Sequence, residues 1–198
     1  MTQTLPATVT LTPEQMKRQV ARFSELQPQS RLVERKWGIP VEAYESATAR
    51  KLLTLMAPRN AGSMAVEPPI ITDDKLSVII AECPPGNKPL LHAHFHTVEH
   101  FFCLTGQFRI RWGDEGEHEL LLNPWDMVAV PRGVRRDFTN VTSETAYLLV
   151  LITGSSEKDY LDIGVAPADA KQFRAAFGDE VADKFAGIGI EFPPKDAP

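Results

Sequence analysis

Seven short apolar runs between Leu76 and Thr153 limit this chain to a small set of folds. They are LSVIIAE, PLLHAHFH, EHFFCLTG, QFRIRWG, HELLLNP, DMVAVPRG and TAYLLVLITG. Turn-forming stretches separate them: PPGN, GDEGE, NPWD, PRG and NVTSE. Closely spaced strands with such punctuation predict an antiparallel sandwich or barrel.

The flanks read differently. Residues 1 to 11 suit an extended arm. In TPEQMKRQVARFSELQP, Thr12 caps a helix, with Pro13 at its first position and Gln15 at the reciprocal capping position. Met16, Val20, Phe23 and Leu26 recur at helical spacing until Pro28, so one helix is expected there, packed by one face on the main body or on a partner. Residues 29 to 75 are mixed: KWGIP and EPPII break helices, and KLLTLMAP suits a strand. After Gly154, APADAKQFRAAFG and GDEVADKFAG read as two short helices stopped by Gly178 and Gly187. The expected organisation is an N-terminal arm, helix and leading strands over 1–75, a strand-rich core over 76–154, and a helical extension over 155–198.

At 198 residues the chain suits one domain with terminal additions. A net charge of −5 argues against broad nucleic-acid binding. No apolar run is long enough for a transmembrane helix. The start, MTQTLPATVTLTPEQ, does not read as a signal peptide, and Cys83 and Cys103 do not make a disulfide framework. A cytoplasmic location is expected.

Four of the five histidines, His92, His94, His96 and His100, fall within HAHFHTVEHFF, with Glu99 among them. On a strand, His92, His94 and His96 share one face. Two imidazoles two residues apart, with a carboxylate following, form a facial ligand set with open positions. The spacing runs Gly86, five residues, His92, one residue, His94, four residues, Glu99, six residues, Gly106. This resembles the first motif of the cupin superfamily at every fixed position. The second cupin motif resembles WDMVAVPRGVRRDFTN, where Pro131, Gly133 and Asn140 match. Trp125 stands in place of its opening glycine, and Arg136 in place of its histidine.

The resemblance covers roughly residues 76 to 154. It implies an all-β cupin jelly-roll, a double-stranded β-helix barrel, with helical extensions at both termini, and a homodimer. It also implies a divalent transition metal (Fe, Mn, Ni or Zn) on His92, His94 and Glu99. Arginine stays protonated and cannot ligate a metal. Three readings are open. The metal can sit on three ligands, with Arg136 binding a substrate anion. His96 or His100 can replace the missing ligand. Or the site can lack a metal, Arg136 pairing with Glu99.

For the remaining features the ordinary structural roles are expected. His96, His100 and His118 read as surface or hydrogen-bonded residues. Phe101, Phe108 and Trp112 read as core or pocket wall. Cys103 shares strand parity with Glu99 and Phe101, so both Phe101 and Cys103 are candidate substrate contacts; a buried inert thiol is the plainer role for Cys103. The function expected is a metal-dependent oxygenase-type reaction on a small anionic organic molecule, with Glu99 also a candidate proton shuttle. The alternatives are a metal-dependent lyase or isomerase, and a non-enzymatic anion-binding protein. No nucleic-acid or membrane partner is expected.

Overall fold

The computed structural model describes residues 6–59, 68–154 and 157–195. In chain order its elements are α1 (Pro13–Lys17), α2 (Gln29–Trp37), α3 (Val41–Ala47), β1 (Lys51–Pro58), β2 (Ile70–Thr72) and β3 (Leu76–Cys83). Then come β4 (His92–His94), β5 (Val98–Cys103), β6 (Phe108–Trp112), β7 (His118–Leu122), β8 (Met127–Val130), β9 (Arg136–Asn140) and β10 (Ala146–Thr153). The chain closes with β11 (Ile163–Val165), α4 (Pro167–Phe177), α5 (Asp179–Lys184) and β12 (Ile190–Glu191). No helix among the described residues is long and apolar enough to cross a membrane.

The strands form two six-stranded sheets, in the orders β2-β1-β3-β10-β5-β8 and β12-β11-β4-β9-β6-β7. This arrangement fits a jelly-roll. Strict alternation builds the inner faces: Ile79, Ala81 and Cys83 of β3, Glu99, Phe101 and Cys103 of β5, and Leu148, Val150 and Ile152 of β10 are all buried. Phe138 of β9 joins the sheets through an edge-on contact with Phe101 at 5.2 Å between ring centroids, and packs edge-on against Phe108 of its own sheet at 6.1 Å. RDFTN therefore forms a strand buried along its whole length, where the sequence showed only a motif fragment.

Helical extensions stand at both ends of the sheets as expected, but α2 and α3 lie in the stretch 29–75 that reads as mixed. A second core joins the two flanks: Val33, Tyr44 and Ala47 from the N-terminal side pack with Val165, Phe173 and Phe185 from the C-terminal side. KWGIP marks the boundary between α2 and α3, not the absence of helix. Gly38 takes the left-handed cap position at φ +66°, and Pro40 stands just before Val41. The sheets also recruit from both flanks. β1 pairs with β3, and β11, which lies in the segment read as helical, pairs with β4.

The expected long N-terminal helix is not formed. Its capping box is present, with Thr12 Oγ1 accepting from Gln15 N–H and Gln15 Oε1 accepting from Thr12 N–H. The helix stops at Lys17 and buries no side chain. Met16, Val20 and Phe23 remain exposed, and periodicity without a packing partner does not sustain a helix. At the C-terminus Gly178 separates α4 from α5 as expected, while Gly187 lies inside a 3-10 turn that ends at Gly189.

Two turn positions need a left-handed backbone. Gly106, between β5 and β6, has φ +73°, and a Cβ there would come within 2.5 Å of the Ala146 Cβ. Trp125 has φ +78°, in the left-handed region that favours glycine, with its N–H donating to the Cys103 carbonyl at 2.8 Å. Gly106→Ala is expected to lower stability by roughly 2 kcal/mol, from left-handed strain plus the clash with Ala146. Urea unfolding checks this, and a loss under about 0.5 kcal/mol would contradict the packing described.

Candidate metal centre

His92 and His94 stand on β4 in one sheet, and Glu99 stands on β5 in the other. Their candidate ligand atoms all lie within 4.8 Å of one another. His94 and Glu99 are buried, and His92 is half-buried. The imidazole centroids are 5.5 Å apart. Period two on β4 aims both rings the same way, and the facing sheet supplies the carboxylate.

Arg136 sits opposite His92 in the β4–β9 register. It is almost wholly buried, and its guanidinium reaches across to the other sheet. Nε and Nη2 both donate to Glu99 Oε2, at 3.0 and 2.5 Å. Nη1 donates to the His92 carbonyl at 3.1 Å. No hydrogen bond among the described residues occupies Glu99 Oε1. Arg136 therefore lies behind the carboxylate, not on the cavity wall, and its donors do not point at a substrate anion.

The rings are held from outside. His92 Nδ1 lies 2.6 Å from the Leu90 carbonyl. A carbonyl only accepts, so this nitrogen carries the proton and Nε2 keeps its lone pair. His94 Nδ1 lies 2.7 Å from Thr97 Oγ1 and 3.1 Å from Asp162 Oδ1. Such outer partners are the usual way in which protein fixes a metal-ligating imidazole.

Electrostatics keeps both rings neutral. Burial, then the Arg136 charge, pushes His92 down to about 3 and lowers His94 as well. Burial alone would raise Glu99, but the Arg136 charge and its hydrogen bonds hold its carboxyl below the usual range. Neutral imidazoles and an ionised carboxylate are the protonation states that metal ligation requires.

The other expected candidates fall elsewhere. His96 does not replace the missing ligand: β4 ends at His94, the chain turns, and His96 is exposed. His100 faces away from Glu99, its ring near the Leu151 carbonyl. Phe101 and Cys103 share the Glu99 face but lie in the packed core and do not line the cavity. Burial pushes the Cys103 thiol up to about 11, in keeping with an inert side chain. Asp162 escaped the sequence reading. No motif spacing includes it, and only the β4–β11 pairing brings it to His94.

A cavity of about 130 Å³ opens beside the three ligands, at the seam between the two cores. Ile79, Phe138, Val150 and Ile152 line it from the sheets, and Val33 and Ile188 from the flanks. Gln29 and Tyr44 give it one polar spot, with Tyr44 O–H donating to Gln29 Oε1 at 2.6 Å. Among the described residues that line it there is no lysine or arginine.

Residues 79–152 match the family described as Cupin domain. A curated relative is quercetin 2,3-dioxygenase of Bacillus subtilis (strain 168), 31% identical over 93 residues, which is 47% of this chain and 27% of that protein. The chain thus spans about a quarter of that relative's length. Among solved structures, a Cupin 2 conserved barrel domain protein from Salinispora arenicola is 17% identical. Its TM-score is 0.44, over 57% of this chain and 83% of that one. A sugar phosphate isomerase from Silicibacter pomeroyi is 26% identical, with a TM-score of 0.38 over 41% of this chain and 52% of that one.

The depressed histidines carry a pH prediction for metal-free protein. An unfolded imidazole takes a proton near pH 6.5, while folded His92 resists it to about 3. The unfolded state therefore binds more protons in this window, and stability falls as pH drops from about 6.5 toward 3. The slope from one ring is at most about 1.4 kcal/mol per pH unit. Thermal unfolding across this range should show the loss, with a shallower slope in His92→Gln. Equal slopes in the two proteins would contradict a buried neutral ring.

Proposed function

We propose that this chain is a metal-dependent cupin enzyme carrying out an oxygenase-type reaction on a small organic molecule with an apolar body and an oxygen donor. The observation that carries this is the convergence of three donor atoms within 4.8 Å on a face where Nδ1 of each ring is already engaged. His92, His94 and Glu99 would hold the ion, Glu99 through Oε1. A bound Fe, Mn, Ni or Zn ion supplies Lewis acidity and open coordination positions, and iron adds oxygen activation. The partial likeness to a quercetin dioxygenase supports the oxygenase class.

The chain's own residues favour an apolar substrate over a strongly anionic one. The cavity wall is mostly aliphatic and aromatic, and Arg136 is committed to Glu99. Absence of a cation among the described lining residues also disfavours a phosphorylated substrate. Apolar walls exclude water and bind the substrate body, while Gln29 and Tyr44 offer it one polar contact. Glu99 is better suited to ligation than to proton transfer, because two N–H donors and a full positive charge stabilise its ionised form.

The second reading is a small-molecule binding protein without turnover. It is favoured by the Arg136 charge beside the ligand set, which opposes a divalent ion. Metal content of freshly purified, untagged protein separates the two. The expected result is about one ion per chain after addition of Fe(II), Mn(II), Ni(II) or Zn(II), lost in His92→Ala and at least about 10-fold weaker in Glu99→Gln. Arg136→His should bind metal more tightly than wild type. Oxygen uptake with quercetin and with smaller enols then probes turnover. Sub-stoichiometric metal that none of the four ions restores would leave the binding-protein reading standing.

A further inference from the structure

The two imidazoles are held by unlike devices. His92 rests on a backbone carbonyl, which no substitution removes. His94 rests on side chains, and one of them, Asp162, lies outside the segment matched to the cupin domain. β11 runs antiparallel to β4 with Ile163 opposite His94, so Asp162 falls beneath the turn that follows β4. Its backbone carbonyl accepts from Phe95 N–H at 3.2 Å. Its Oδ2 accepts from the His96 and Thr97 amides at 2.7 and 2.8 Å, and from the Thr97 hydroxyl at 3.1 Å. Its Oδ1 lies 3.1 Å from His94 Nδ1 and 3.3 Å from the Thr97 hydroxyl, and the carboxylate is fully buried.

We propose that Asp162 is a positioning residue that fixes His94 as the Nδ1–H tautomer and so turns a bare Nε2 toward the ligand set. An ionised carboxylate accepts and never donates, so the facing nitrogen must carry the proton. The Thr97 hydroxyl is ambivalent: having donated to Asp162, it can accept from His94, and by itself it fixes neither tautomer. The carboxylate therefore decides. In consequence the ligand set is complete only when the C-terminal segment has docked as β11 against β4. The role in metal binding rests on the proposed function, whereas the tautomer does not.

Asp162→Asn is the discriminating variant. Its side-chain oxygen can still accept the His96 and Thr97 amides, which keeps the turn, while its NH₂ would face His94 Nδ1 as a donor. In metal-free protein with ¹⁵N-labelled histidine, long-range ¹H–¹⁵N spectra at neutral pH should show His94 protonated at Nδ1 in wild type and mainly at Nε2 in the variant. Titration with Zn(II) by calorimetry should show affinity reduced about 10–100-fold in the variant. Thr97→Val, which keeps the carboxylate, should retain the Nδ1–H form and covers the case in which Asp162→Asn does not fold. An Nε2–H ring in wild type, an unchanged tautomer in Asp162→Asn, or a switched tautomer in Thr97→Val would each overturn the assignment. Wild type that takes up no added metal would instead count against the proposed function, with the spectra still deciding the role of Asp162.

Discussion

The Arg136–Glu99 ion pair joins the two sheets from inside, and the site is built around it. Taking both charges out of water is costly, and a buried pair often contributes little net stability. Removing one partner is a different matter, since it strands a charge in the interior at about 3–5 kcal/mol. The pair also reaches beyond itself, because Arg136 donates to the His92 carbonyl. One guanidinium therefore connects β9, β4 and β5. It engages one oxygen of Glu99, Oε2, through two N–H donors, and no hydrogen bond among the described residues occupies Oε1.

That arrangement joins two readings of the arginine that the sequence left separate. Arg136 pairs with Glu99, as in a metal-free site, and yet the three ligands stay gathered, as in a metal site. The guanidinium offsets the carboxylate charge, so a divalent ion would meet a ligand set close to neutral overall. Affinity should then lie below that of a site with a fourth imidazole. Burial first, and then the same charge, disfavour protonation of both rings, which helps ligation. The arginine thus opposes the ion through space while maintaining the protonation states that would bind it.

The two-sheet architecture was legible because alternation reports a half-buried strand directly. The pattern in β3, β5 and β10 is visible residue by residue. His92, His94 and Glu99 were legible because strand parity puts the two histidines on one face and their spacing to Glu99 resembles the first cupin motif. What stayed hidden depends on packing over long sequence distances. α2 and α3 are helices because the C-terminal segment gives them something to bury against. RDFTN carries no alternation, since β9 is buried on both faces. Period two also overextended β4: the turn held by Asp162 removes His96 from the ligand face, and that aspartate lies 66 residues along the chain from His96.

The flanking segments decide what kind of site this becomes. The inner sheet faces carry the ligands, but the space beside them is closed by side chains of α2, α3, β11 and β12. Val33 and Tyr44 on one side and Val165 and Ile190 on the other come from outside the part of the chain matched to the cupin domain. The ligand chemistry and the cavity wall thus belong to different stretches of sequence. Any change of wall side chain alters which molecule fits, with no change at the three ligands. This separation also explains why motif spacing identifies a ligand set but carries no information about substrate. The residues that would recognise a substrate body are set by the packing of two terminal segments on one another, and no motif in the central domain encodes that packing.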